Sequence, residues 1–108
     1  MALTRDFRET VQARVHRDAA FRKELLREGV ESFLAGEVET GKIVLRDYIN
    51  ATIGFNELAE ITHRSPKSLM RMLGPSGNPG ARNLFAILIA LQKKERVRFK
   101  VRAAAAGA

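Results

Sequence analysis

The sequence contains no cysteine and no tryptophan, and its one tyrosine is Tyr48. Without thiols there is neither a disulfide framework nor a thiolate metal site, and nothing argues for an oxidising compartment. Histidine is scarce as well: His16 and His63 are the two in the chain, and neither stands in a metal-ligand or triad spacing. His63 beside Ser65 lacks an orienting acid and an oxyanion site, so no catalysis and no cofactor are expected. Gly74-Pro75-Ser76-Gly77 lacks the Gly-Lys-Ser/Thr ending of a phosphate loop, and its proline removes an amide that an anion would need. The longest apolar run, Leu84 to Leu91, is far short of the roughly 20 residues that span a bilayer, and no apolar leader opens the chain. The expectation is a soluble, cytoplasmic protein with no membrane partner.

Acidic side chains are short in one region only. The formal net charge is +7, and residues 1–54 contribute nothing to it, holding nine Lys/Arg and nine Asp/Glu. Residues 55–108 hold ten basic residues against Glu57, Glu60 and Glu95, and no acid stands between Glu60 and Glu95. So one-sided a balance suits a polyanion partner at one end of the molecule, or a merely solvated basic surface. A length of 108 residues fits one domain with a modest core.

What is abundant is helical periodicity. From Thr4 to Gly36 the apolar residues Phe7, Val11, Val15, Phe21, Leu25, Leu26, Val30, Phe33 and Leu34 recur at steps of three and four, which predicts two amphipathic helices. Asp18 is placed to cap the second, and Gly36 to end it. A helix is predicted from about Val38 to Ala51, with Ile43, Val44, Leu45, Tyr48 and Ile49 as its buried stripe. Two short helices follow, Phe55–Thr62 with Leu58 and Ile61 facing inward, and one that opens at Ser65-Pro66 and runs to about Leu73. Ser65 is a good N-cap, and Pro66 fits the first helical position because its missing amide has no intrahelical partner anyway. Gly74-Pro75 stops that helix, Ser76 to Gly80 form a loop, and a last helix spans about Ala81 to Lys94. Leu84 to Leu91 is apolar all round, so one face is expected to meet another chain. Val97 to Val101 alternates apolar and basic residues with the period of a strand, and a lone strand needs a second copy or a partner's sheet edge to pair with. Ala103 to Ala108 has nothing to pack and is expected to be disordered.

Two short helices joined by a tight turn, the second capped by Ser-Pro, form the arrangement that lays a recognition helix in the major groove of DNA. Ala59 is small enough to let the two helix backbones approach, and Leu69, Met72 and Leu73 fall on one face of the second helix. The opposite face carries Lys67, Ser68 and Arg71, residue types that reach base edges. Arg64, Ser65, Ser76, Asn78 and Arg82 flank it as candidate phosphate contacts, Ser65 also as the cap and Ser76 and Asn78 equally as turn formers. The plain alternative is that Lys67 and Arg71 are a solvated pair on an ordinary surface helix.

Leu58-Ala59-Glu60-Ile61, Ser65-Pro66-Lys67-Ser68-Leu69-Met70-Arg71-Met72-Leu73, and Gly77-Asn78-Pro79 followed by Asn83-Leu84-Phe85 resemble the lambda-repressor-like domain of HigA-type addiction-module antidote proteins. The resemblance covers about residues 45–101, with His63 where that family has Gly in the turn and Arg64 where it has a small apolar residue. It implies an all-α helix-turn-helix transcriptional regulator, with the strand-like end as a short C-terminal β-strand. In many relatives such a regulator represses its own operon and neutralises a RelE-like toxin. Residues 1–36 then form an N-terminal helical extension, residues 37–102 the DNA-binding domain with its strand, and 103–108 a tail. A homodimer on an inverted-repeat operator is expected. The competing class is a protein-interaction module that covers a partner toxin without specific DNA binding. An RNA-binding domain is disfavoured by the lack of an aromatic platform on any predicted sheet.

Overall fold

A computed structural model describes residues 13–107. All regular structure in this span is helical: residues 13–17, then α1 (Ala19–Leu34), α2 (Val38–Ala51), α3 (Gly54–Thr62), α4 (Pro66–Met72) and α5 (Ala81–Glu95). Phe7 and Val11 of the first predicted helix, and Ala108, lie outside the described residues. No helix among the described residues is long and apolar enough to cross a membrane.

The helix boundaries follow from local chemistry. Asp18 is extended and its carboxylate accepts the Phe21 amide at 3.1 Å, which satisfies one of the orphan donors of α1. α1 ends where Gly36 takes φ +82° and the Glu37 amide reaches back to the Ser32 carbonyl at 2.9 Å. α1 then lies against α2 with little side chain between them. A Cβ on Gly29 would stand 3.2 Å from Leu45 Cδ2, and one on Gly41 would stand 2.8 Å from the Phe33 ring. Two glycines thus set how near the helices come.

The core is made by the inner faces of all five helices. Leu26 of α1, Leu45 and Ile49 of α2, Leu58 of α3, Leu69 of α4, and Ile87 and Leu91 of α5 are all fully buried in one cluster, joined by Leu73 just past α4. The central helix is α3, which packs on α2, α4 and α5. It turns Phe55, Leu58, Ala59 and Thr62 inward, so the expectation for Ile61 is corrected: Ile61 is exposed. Thr62 takes the inner place because its hydroxyl donates to the Leu58 carbonyl at 2.8 Å, leaving no unmet polar group in the core. Ile43 is likewise exposed, its expected inward place on α2 being taken by Gly41 and Lys42.

α5 buries Ile87, Leu88, Ala90 and Leu91 and leaves Phe85 58 % and Ile89 50 % exposed, a pair one helical turn apart. Its last residue, Glu95, is held by two elements. Arg22 Nε meets both carboxylate oxygens at 3.0 and 3.1 Å, and the Tyr48 hydroxyl donates to the same group. Arg22 Nη1 also donates to the Val15 and His16 carbonyls, so residues 13–17, α1, α2 and α5 meet at one knot. Burial, and then the neighbouring Glu95 carboxylate, push the Tyr48 phenol above its ordinary range.

Within the single chain the expected C-terminal strand is not seen: residues 97–107 carry no regular structure. A ladder needs a second strand, and the described residues contain none. The segment is nevertheless attached, with Phe99 packed against the core and its amide donating to Gln92 Oε1 at 2.9 Å.

Candidate nucleic-acid interface

α4 opens as its sequence suggests. Ser65 is extended at φ −75°, ψ 146°, its hydroxyl accepts the Ser68 amide at 3.1 Å, and Pro66 occupies the first turn. Leu69 and, at the C-cap, Leu73 are fully buried, each burial contributing about 1.5–3 kcal/mol. The outer face presents Lys67, Met70 and Arg71 to solvent, with Ser68 and Met72 half-buried at its margins. The short helix is therefore held by its inner face while its cations stand free of the core.

The turn before α4 is built by His63 in the left-handed region, φ 56°, ψ 41°, with the Arg64 amide bonding the Ala59 carbonyl at 3.1 Å. Arg64 is half-buried. Its Nε donates to Asn83 Oδ1 and its Nη1 to the Thr62 carbonyl, both at 2.8 Å, so it braces the turn against the first turn of α5. Arg82, Asn83's neighbour, is exposed. Ser76 and Asn78, in the loop between α4 and α5, are exposed too. A wide, shallow hollow beside the turn is lined by Asn56, Glu60, His63, Arg64 and Pro66, too open to enclose a small molecule. Among the described residues no group of three His, Asp or Glu side chains could hold a metal.

Sequence reasoning missed what holds the far end of α4. Lys42 is only 2 % exposed, and its ammonium donates to the Gly74 carbonyl at 3.0 Å and the Gly77 carbonyl at 2.7 Å, and pairs with Glu39 at 2.9 Å. Three acceptors thus match its three donors. One turn further along α2, Arg46 Nη1 donates to the Leu73 carbonyl at 2.9 Å. Both cations sit at the C-terminal end of α4, where the helix dipole favours them. The loop they hold lies directly on the last turn of α4, because a Cβ on Gly77 would overlap the Arg71 carbonyl. One sequence signal did exist: Lys42 stands in register with Leu45 and Ile49, a lone cation on a buried helical stripe.

The electrostatics of the outer surface are lopsided. Lys67 sits in the first turn of α4, where the dipole disfavours a cation, and one turn from Arg71, a like charge; each effect is a few tenths of a kcal/mol. α5 repeats the pattern: Arg82 is in its first turn, Gly80 supplies no capping side chain, and the first turn holds no acid. Among the described residues nothing compensates these small penalties, which an anion would relieve. Set against models of known protein families, curated proteins and solved structures, the chain finds no match.

Proposed function

We propose that this chain is a sequence-specific DNA-binding transcriptional regulator of the helix-turn-helix type, with α3 as the supporting helix and α4 as the recognition helix. The observation that carries this reading is the two-sided character of α4: a fully buried inner face, and an outer face of Lys67, Met70 and Arg71 on a stretch with no acid between Glu60 and Glu95. Lys67, Ser68 and Arg71 are assigned to base edges, and Arg82, Ser76, Asn78 and Ser65 to phosphates. Arg64 is assigned to the phosphate backbone with a share of its donors already used inside the fold. The unfilled first turn of α5, with its orphan amides beside Arg82, is the sort of helix end that accepts a phosphate oxygen.

In this reading the protein acts in the cytoplasm as a homodimer, placing two α4 helices in successive major grooves about 34 Å apart on an inverted repeat. The motif resemblance to HigA-type antidotes makes an antitoxin-like autorepressor, paired with a RelE-like toxin, the form of regulator proposed. The test is a gel-shift titration against the protein's own upstream region with scrambled competitor at two salt concentrations. If the dimer neutralises about six to ten phosphates, affinity falls roughly 10³- to 10⁵-fold between about 50 and 200 mM salt. Lys67→Ala and Arg71→Ala should each weaken specific binding by about 1–3 kcal/mol. If both bind operator and random DNA as the parent does, the assignment of α4 is wrong.

One observation favours a second reading, a module whose task is protein contact. Phe85 and Ile89 form an exposed apolar pair on α5 that the described residues leave uncovered. Phe85→Ser with Ile89→Ser separates the readings by sedimentation and gel shift together. Loss of self-association with weakened operator binding fits a dimeric repressor. A parent that shows no DNA preference, while these residues control association, puts the contact module first.

A further inference from the structure

We infer that Lys42 and Arg46, on α2, are positioning residues for the recognition surface: they set where the C-terminal end of α4, and with it Arg71, sits on the protein. This rests on the DNA-binding reading and adds to it residues that do not touch DNA.

α4 has seven residues, too few to be stable as an isolated helix, so its placement is decided by its anchors. At its start the anchors are the local Ser65 cap and the Arg64 brace to Asn83 of α5. At its end the anchor is distant in sequence. Where α4 stops and the loop begins, the carbonyls of Leu73, Gly74 and Gly77 all accept from cations of α2, and that of Gly74 accepts the Gly77 amide as well. Gly77 in turn rests on the Arg71 carbonyl, so a shift of the loop is passed to the backbone of Arg71 itself. Removing Lys42 takes the side-chain donor from the Gly77 carbonyl, removing Arg46 takes it from the Leu73 carbonyl, and either loss lets α4 pivot about its capped start. Arg71, at the far end of the lever, moves most.

Lys42 is buried and its donors are all engaged, so it cannot neutralise a phosphate. Its effect should therefore fall on sequence preference and leave the salt dependence alone. A surface cation in contact with phosphate behaves the other way, since losing one contact lowers the slope of log affinity against log salt by about 0.9.

The test uses full-length protein and a duplex selected by the parent from a random-sequence pool. The variants are Lys42→Met, Arg46→Met and the conservative Arg46→Lys, which keeps a cationic donor at this position of α2. Arg46→Met covers the case in which Lys42→Met fails to fold, because Arg46 is half-buried and makes one such bond. The expected result for both Met variants is a fall of about tenfold or more in the ratio of specific to non-specific affinity, with the salt slope unchanged in Lys42→Met and with Arg46→Lys close to the parent. Amide exchange at Leu73, Gly74 and Gly77 should quicken relative to Leu45 and Ile49. A merely structural role would lower specific and non-specific binding together and quicken exchange throughout. A parent that selects a duplex, with folded Met variants that keep the parent's ratio, overturns this inference and leaves the DNA reading standing. A parent that selects nothing overturns both.

Discussion

His63 occupies the left-handed region that an L-residue enters at a cost of about 1–2 kcal/mol, and it does so to close α3. Glycine there would relieve that strain while losing about 0.5–1 kcal/mol to its freer unfolded chain. His63→Gly should therefore stabilise the fold by up to about 1 kcal/mol and raise the thermal midpoint by a few degrees, read by circular dichroism. Gly77 poses the opposite case. Its φ is not left-handed, yet no side chain fits, because the Arg71 carbonyl fills the space. Gly77→Ala should cost about 3 kcal/mol, at the upper end for overpacking, whereas Gly80→Ala, with nothing within 4 Å, should be close to neutral in the same denaturant titration.

At the scale of elements, the sequence is most readable where a local signal decides the outcome. Ser65-Pro66 announces the start of α4, Asp18 the start of α1 and Gly36 its end, because capping is settled within three or four residues. The face a helix buries is harder, since it depends on what lies opposite. Leu58 and Ile61 share one stripe by period, but α3 is covered on the side of Phe55, Ala59 and Thr62, and a threonine that bonds its own helix fits there while Ile61 stays out. Val97 to Val101 has a strand's alternation and no partner strand among the described residues, and alternation without a ladder leaves only an attached segment without regular structure. Of the candidate site, the outer cations of α4 could be read from the sequence, and the clamp behind it could not. Thirty-two residues separate Lys42 from Gly74, and no pattern of apolar residues says that a lysine on a core stripe will meet carbonyls there.

For the whole molecule, the decisive dimension is its breadth. The described residues measure 39 × 31 × 30 Å, so in the proposed dimer two copies side by side would have centres close to one turn of DNA, about 34 Å. The knot of Arg22, Glu95 and Tyr48 ties the start of α1 to the end of α5 across this body, and its phenol makes stability depend on pH. The folded state holds the Tyr48 proton more tightly than the unfolded chain does. Its contribution is whole below about pH 10, where a free phenol titrates, and is lost as the pH climbs above that. With no other tyrosine and no tryptophan in the chain, phenolate absorbance follows this one group. The expected trace is a late titration in the folded protein and an ordinary one in denaturant. Tyr48→Phe should remove the alkaline fall and, by deleting a bond to a carboxylate, cost about 1.5–3 kcal/mol at neutral pH.

The burial of Lys42 also makes it chemically quiet. Amine-directed reagents reach the exposed lysines Lys23, Lys67, Lys93, Lys94 and Lys100 at once, while the ammonium of Lys42 is enclosed by the loop it holds. A label arriving at Lys42 can come only after that loop has lifted from α2, so its rate of modification is an intrinsic clock for the release of the end of α4.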